Sequence, residues 1–360
     1  MSAPTLPPTL RERIGQLLLL GFKGRTAADT GPIVRDLREH GVGSVILFDL
    51  DMTGTIDGGA PGPRNIESPD QVRALVAHLQ AQARIPLLVA IDQEGGRVNR
   101  LKPAYGFPPS VSHEELGARD DEAYTRAQAA ATARTLAALG INWNLAPVVD
   151  LDANPDNPII KGKRRSFAAD PAKVARHAAA FVEGHRAHGV LTCLKHFPGH
   201  GSAVGDTHLG FVDVTATWHE RELEPFARLV AAGSCDAVMS AHVFHAGLDP
   251  ERPSTLSRAV IDGLLRRRIG FDGVVTSDDM EMKAISSRYG LEQSIPAALN
   301  AGVDVLCFGN NLAYDPDIAP KAVALVERAV RDGVVPAARI DEACARVLAL
   351  KRRAGLPLPA

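Results

Sequence analysis

The chain has 360 residues, 45% apolar and 23% charged, with a formal net charge of -2 and an isoelectric point near 6.6. That balance belongs to a globular protein with a substantial core, either one large domain or two ordinary ones. It gives no electrostatic case for nucleic acid and points to a neutral or modestly charged partner.

The N-terminus, MSAPTLPPTLRERIGQ, lacks a basic start leading into an apolar core with a small-residue cleavage site, so no secretory signal is expected. The run Leu17 to Leu20 is too short to span a membrane. A cytoplasmic location with no membrane partner is expected by default, and a monomer is expected.

Eight apolar runs then recur at Gln16–Phe22, Gly43–Asp49, Pro86–Gln93, Ile141–Asp152, Leu191–Phe197, Asp236–His242, Gly273–Asp279 and Asp304–Asn310. They are apolar without strict alternation, as suits strands buried on both faces of a parallel sheet. Helical patterns fill the gaps, among them Pro69–Ala83, Asp121–Leu139, Pro171–His188 and Ser294–Ala301. Eight alternating units predict a single α/β domain, a (β/α)8 TIM-type barrel spanning 1–360. An open doubly wound sheet is the alternative, but no GxGxxG follows the first strand. An extension over about residues 1–9 precedes the barrel, and Arg339–Leu356, with Ile340, Cys344, Val347 and Leu348 on one face, reads as a final packing helix over about 339–356.

Cys193, Cys235, Cys307 and Cys344 are far apart and lie in apolar segments. They read as small buried hydrophobes in a reducing compartment. Two connections are long. Leu50–Arg64 is too rich in Gly and Pro for regular structure and reads as a flexible wall of the site; Ala153–Asp170 is basic at Lys161, Lys163, Arg164 and Arg165, mostly as a solvated run.

Polar residues gather at the C-terminal ends of the predicted strands: Asp49, Asp92, Asp150, Asp152, Lys195, His196, His242, Asp278, Asp279 and Asn310. In a barrel these ends share the face where active sites are built. Three centres carry chemistry. In KHFPGHGSAVGDTH (Lys195–His208), His196, His200, His208 and Asp206 could be metal ligands, but prolines and glycines put them on a loop and not on one helix face. The other reading makes Asp206 and His208 a dyad in which the carboxylate orients an imidazole for acid and base work.

The second centre, SDDM at Ser277–Met280, sends one of two adjacent acids into the barrel mouth. Opposite a proton donor, such a carboxylate suits retaining glycoside hydrolysis. The third, DQEGGRVNR at Asp92–Arg100, offers a carboxylate, two glycines that let backbone approach, and arginines for a polyhydroxylated ligand. Arg97 reads equally well as a surface residue.

With DQEGGRVNR, the RSF at Arg165–Phe167, KHFPGHG followed by DTH, AHV in the sixth strand and SDDM, the chain resembles the β-N-acetylglucosaminidases of glycoside hydrolase family 3 from about residue 10 to residue 356. The resemblance implies that Asp278 is the nucleophile and that His208, partnered by Asp206, is the acid/base. It implies that Asp92, Arg100, Arg165, Lys195 and His196 hold the sugar, with no cofactor or metal. The substrate implied is a small carbohydrate, a β-linked N-acetylglucosaminide, with peptidoglycan fragments as one source and chitin-type oligosaccharides as the other. NPIIKGKRRSF is longer than the usual NPxIGxRSF, so Arg164 competes with Arg165, and the aglycone side departs from the pattern. A phosphorylase using the same residues, a metal-dependent hydrolase and a non-catalytic sugar-binding protein stand as alternatives. The glycine-bracketed loop from Gly199 to His208 is expected to close on substrate.

Overall fold

The structure, a computed structural model, describes residues 5–55 and 58–358. Residues 1–4 of the expected N-terminal extension lie outside them.

Each of the eight apolar runs holds one strand: β1 Leu18–Gly21, β2 Ser44–Leu47, β3 Leu88–Ile91, β4 Trp143–Asn144, β5 Leu191–Phe197, β6 Ala237–Ser240, β7 Val274–Ser277 and β8 Leu306–Phe308. All neighbours pair in parallel, β8 beside β1 and then in chain order to β7. A parallel bridge between Thr276 and Val305 joins β7 to β8, and the Val305 N–H donates to the Val275 carbonyl at 3.0 Å, so the barrel closes.

Alternation along the strands divides the core into two layers. Leu19, Ile46, Leu88, Ala90, Trp143, Cys193, Met239 and Cys307 fill the barrel interior. Their neighbours Leu18, Leu20, Val45, Val89, Ile91, Leu194, Val238 and Phe308 pack outward against the helices. Both faces are therefore apolar, which is why the sequence shows runs and no clean alternation.

The helices largely follow the pattern, over Pro69–Gln82, Glu122–Ala138, Pro171–Arg186 and Ala337–Arg353. Ser68, Asp121 and Asp170 cap the first three by accepting a backbone N–H in the first turn. The helix predicted at Ser294 begins earlier, at Leu291, and carries Pro296 inside it. Ala259–Arg268 adopts π-helical hydrogen bonding that local sequence did not suggest.

The final helix does more than pack alongside. Val347 and Leu350 enter the interior layer from the N-terminal end of the strands and plug the barrel. Two buried carboxylates reinforce that floor. Asp304 accepts from Arg266 and Arg339 at 2.6 Å each, and Asp236 accepts from Arg186 at 2.8 Å and from Arg353.

All four cysteines are free and buried. The Leu50–Arg64 connection is more regular than expected: Leu50–Asp51 and Gly62–Pro63 form a small antiparallel hairpin. Arg64, fully buried, anchors it by donating to the Asn310 carbonyl at 2.6 Å. Among the described residues no helix is long and apolar enough to cross a membrane.

Candidate active site

A cavity of about 870 Å³ opens at the C-terminal ends of the strands. Asp49, Asp92, Lys195, His196, Asp278 and Asp279 line it, as the placement of polar residues predicted; Arg100, Arg165, Asp206 and His208 reach it from the loops. Asp150, Asp152, His242 and Asn310 do not line it.

The loop after β3 supplies two carboxylates on one side of the strand's continuation. Asp92 accepts from Lys195 Nζ at 2.7 Å and faces Arg100 Nη2 at 3.5 Å. Glu94, which the sequence reading passed over, accepts both arms of the Arg165 guanidinium at 2.8 Å and Lys195 Nζ at 2.7 Å. The i, i+2 spacing of Asp92 and Glu94 was the signal for it, because alternate residues of an extended segment share a face.

Burial pushes the Glu94 carboxyl up, but Arg165 and Lys195 outweigh it and hold it well below the ordinary carboxylate range. For Lys195, burial is overcome by Asp92 and Glu94, which raise its pKa. The cluster is therefore fully ionised and rigid at neutral pH.

The paired glycines after Glu94 serve a different purpose from the one expected. A β-carbon on Gly95 would lie 2.2 Å from the Val111 carbonyl oxygen, and one on Gly96 would lie 2.5 Å from the Ser112 side chain. They admit the neighbouring backbone and not a ligand. Gln93 closes the same loop by accepting the N–H groups of Arg100 and Leu101, both at 3.0 Å.

Between Arg164 and Arg165 the structure is unambiguous. Arg164 has φ of 59° and turns outward to Glu114, while Arg165 is buried against Glu94. Lys161 is paired with Asp152 at 2.7 Å. Lys163 lines the cavity, as does Arg97, which donates to the Gly162 carbonyl at 2.7 Å. Among the described residues neither of these two cations has a carboxylate partner.

His196 sits where β5 ends. Its Nδ1 is 2.6 Å from Asp150 Oδ2 and its Nε2 is 3.2 Å from Arg165 Nη2. The Nδ1–H donates to the carboxylate, which fixes the ring against the guanidinium. Asp150 also accepts the backbone N–H of His200 at 2.8 Å, so this buried carboxylate ties down the start of the histidine loop. The sequence placed Asp150 at a strand end without foreseeing that use. His200 is buried and contacts Thr207 Oγ1 at 3.4 Å.

Asp206 and His208 do form a pair. Asp206 Oδ1 accepts from His208 Nδ1 at 2.6 Å and from the His208 backbone N–H at 2.8 Å. Nε2 is thereby left as the ring nitrogen available to a ligand, on a side chain 43% exposed in the cavity wall. Burial raises the Asp206 pKa, but the hydrogen bond from His208 overrides it and keeps the carboxylate ionised. The Thr207 carbonyl accepts from the Ala284 N–H at 3.1 Å, so the loop tip already rests on the segment following β7.

Asp278, just past β7, has no lysine or arginine partner among the described residues. Burial pushes its pKa up, yet His196, His242 and His208 together bring it down to about 2. Asp279 is fixed instead, accepting the N–H groups of Glu281 and Gly309 at 3.0 Å each. Burial, and the Asp278 charge beside it, raise its pKa to about 6. An ionised, unpaired carboxylate and an imidazole with a free Nε2 share one cavity with a fixed polar floor, a set able to combine nucleophilic attack with proton transfer.

Residues 9–350 match the profile described as "Glycosyl hydrolase family 3 N terminal domain". A "Beta-hexosaminidase" of Xylella fastidiosa (strain M23) is 38% identical over 321 residues, covering 86% of this chain and 87% of the relative. The structure of a glycoside hydrolase family 3 β-N-acetylglucosaminidase from Paenibacillus sp. str. FPU-7 superposes with a TM-score of 0.87 at 37% identity, covering 98% of this chain and 64% of that one. A β-N-acetylhexosaminidase from Beutenbergia cavernae DSM 12333 gives a TM-score of 0.84 at 34% identity and is covered over its full length, with 97% of this chain.

Proposed function

The chain belongs to glycoside hydrolase family 3, and from that premise we propose that it is a retaining exo-β-N-acetylhexosaminidase that removes terminal β-linked N-acetylglucosamine. The observation that carries this reading is the pairing, in one cavity, of an ionised Asp278 without a cation and a His208 whose Nδ1 is committed to Asp206.

In the proposed reaction an Asp278 carboxylate oxygen attacks the anomeric carbon. His208 Nε2 gives its proton to the departing glycosidic oxygen. A covalent glycosyl ester forms as the glycosidic bond breaks. The now neutral imidazole then takes a proton from water, whose oxygen attacks the anomeric carbon and releases Asp278. Asp206 keeps the ring oriented throughout. Asp92, Arg100, Arg165, Lys195 and His196 are assigned to the sugar hydroxyls. Their mutual ion pairs support this role, because a prearranged polar floor loses little freedom when the sugar binds.

On the aglycone side, Lys163 and Arg97 favour a substrate with an acidic group next to the cleaved bond. That supports peptidoglycan fragments over chitin-type oligosaccharides. The test is a hydrolysis panel of an N-acetylglucosaminyl muropeptide fragment, N,N′-diacetylchitobiose (chitobiose below) and an aryl β-glucoside, run with and without phosphate. The reading expects free N-acetylglucosamine in both conditions, the muropeptide fragment as the best substrate and negligible release from the glucoside. Sugar 1-phosphate as the main product in phosphate would replace the hydrolase with a phosphorylase.

A further inference from the structure

Beneath the histidine loop lies a carboxylate that the mechanism above does not use. Glu222, in the short 3-10 turn Glu220–Leu223, is 1% exposed, and among the described residues it pairs with no lysine or arginine. Its Oε2 accepts the Gly201 N–H at 3.0 Å, and the Ser202 side chain and the His219 backbone also act on the carboxyl. The side chain is pressed against Gly199, where φ is 125° and a β-carbon would lie 2.7 Å from Glu222 Oε2.

Other tethers hold the same turn. On one face Asp150 accepts the His200 N–H at 2.8 Å, and Asn157 Nδ2 donates to the His200 and Gly201 carbonyls at 2.8 and 3.0 Å. Trp218, four residues before Glu222, donates Nε1–H to the Pro198 carbonyl at 3.1 Å. The backbone polar groups of His200 and Gly201 are thus all committed. From this turn His200 reaches Thr207, which stands between Asp206 and His208.

A buried carboxylate with no cation is costly, and hydrogen bonds with Gly201, Ser202 and His219 repay only part of that cost. Such a group is retained where its placement matters to function more than to stability. We propose that Glu222 is a positioning residue for the proton donor: it sets the Gly199–Gly201 turn and, through His200 and Thr207, the placement of the Asp206–His208 dyad. The inference rests on the reading of that dyad as the acid/base. Burial pushes the Glu222 carboxyl up to about 7, with the Asp150 charge adding to the effect. A neutral glutamine, which keeps an oxygen for the Gly201 N–H, is therefore a fair replacement.

The experiment compares the intact wild-type protein with Glu222→Leu, Glu222→Gln and His208→Ala on an activated aryl N-acetylglucosaminide and on chitobiose. Thermal unfolding of each variant accompanies the kinetics. Glu222→Leu is expected to lower kcat on chitobiose at least about tenfold, with a loss of roughly threefold or less on the aryl substrate and little change in KM. Glu222→Gln is expected to restore chitobiose turnover to within about threefold of wild type. Equal losses on both substrates, or a glutamine no better than leucine, would overturn the proposal. If the leucine variant does not fold, Glu222→Asp, which keeps a carboxylate but draws it back from the Gly201 N–H, takes its place: chitobiose turnover more than about tenfold below wild type at near-normal aryl turnover and normal unfolding supports positioning, and an equal loss on both substrates, or chitobiose turnover within about threefold of wild type, refutes it. A His208→Ala variant that loses both substrates alike sinks the dyad reading and this inference with it. One that is selective for chitobiose, beside a Glu222→Leu that is not, sinks this inference alone.

Discussion

The two ends of the barrel treat buried carboxylates in opposite ways. At the floor, Asp304 is surrounded by Arg266, Arg339 and Arg346 and also accepts the Val275 N–H at 3.0 Å. Asp236 is held by Arg186, Arg353 and both the N–H and hydroxyl of Thr192. At the mouth, Asp278, Asp279, Glu281 and Glu222 form no ion pair with a lysine or arginine among the described residues, with Arg64 acting on Glu281 only from farther off, although Asp92 and Glu94 beside them are amply paired. Burial raises Glu281, and Asp279 adds to it. The floor's charges close the barrel and fix its last helix. The mouth holds Asp279, Glu281 and Glu222 at a cost in stability and offsets the Asp278 charge with histidines alone, an arrangement that suits chemistry better than structure.

The sharpest break of that contrast is the loss of Asp278. Asp278→Ala is expected to lower kcat at least about 10⁴-fold while costing far less stability than the loss of Asp304, because no lysine or arginine is left without its partner. Steady-state kinetics beside calorimetry checks both halves. A variant that unfolds readily would put Asp278 in the structural class with Asp304.

Asp304→Ala should do the reverse. Removing this carboxylate takes the ion-pair partner from Arg266 and the buried one from Arg339 and Arg346, which keep Glu342, and a loss of roughly 3–5 kcal/mol of stability is expected. The folded fraction should keep its kcat/KM, as denaturant titration paired with assays at low temperature can establish.

His208→Ala removes the proposed proton donor but no charge pair needed for folding. We expect a loss of about 10²–10³-fold on chitobiose and under about tenfold on an aryl glycoside that needs no protonation. Parallel losses across a leaving-group series would contradict the acid role.

The smallest effect tests the floor. Lys351 is fully buried there, donating to Gln16 Oε1 at 2.7 Å with no carboxylate partner among the described residues, and burial lowers its pKa to about 7. In the unfolded chain the group titrates near about 10.4. Between these values the unfolded state binds more protons, so folding stability rises with pH across the window. Relative to Lys351→Met, the wild type should gain roughly 2 kcal/mol between pH 7 and pH 9. Parallel stability curves for the two proteins would show that Lys351 stays neutral or stays charged throughout.

How far the contrast could be read in advance depends on how local its causes are. All eight strands were legible because burial on both faces leaves an unbroken apolar run. The Asp206–His208 pair was legible because both members lie within three residues. The Gly95–Gly96 pair misled, since a glycine pattern shows that something approaches closely and not what approaches. Glu222 gave no local signal at all: its partner Gly201 is 21 residues away and meets it only through the fold. Arg164 and Arg165 looked alike in sequence and were separated only by the direction of the chain, which turns one to solvent and the other to Glu94.

The central claim, that the bare carboxylate of Asp278 forms the bond to the sugar, is tested most directly by trapping. The protein would be inactivated with a fluorinated mechanism-based N-acetylglucosaminyl inhibitor, digested with trypsin and sequenced by mass spectrometry. The fragment following Arg268 and ending at Lys283 contains Asp272, Asp278, Asp279 and Glu281, so one peptide discriminates among the candidates. The sugar is expected on Asp278. Its appearance on Asp279, on Glu281 or outside this peptide would contradict the account.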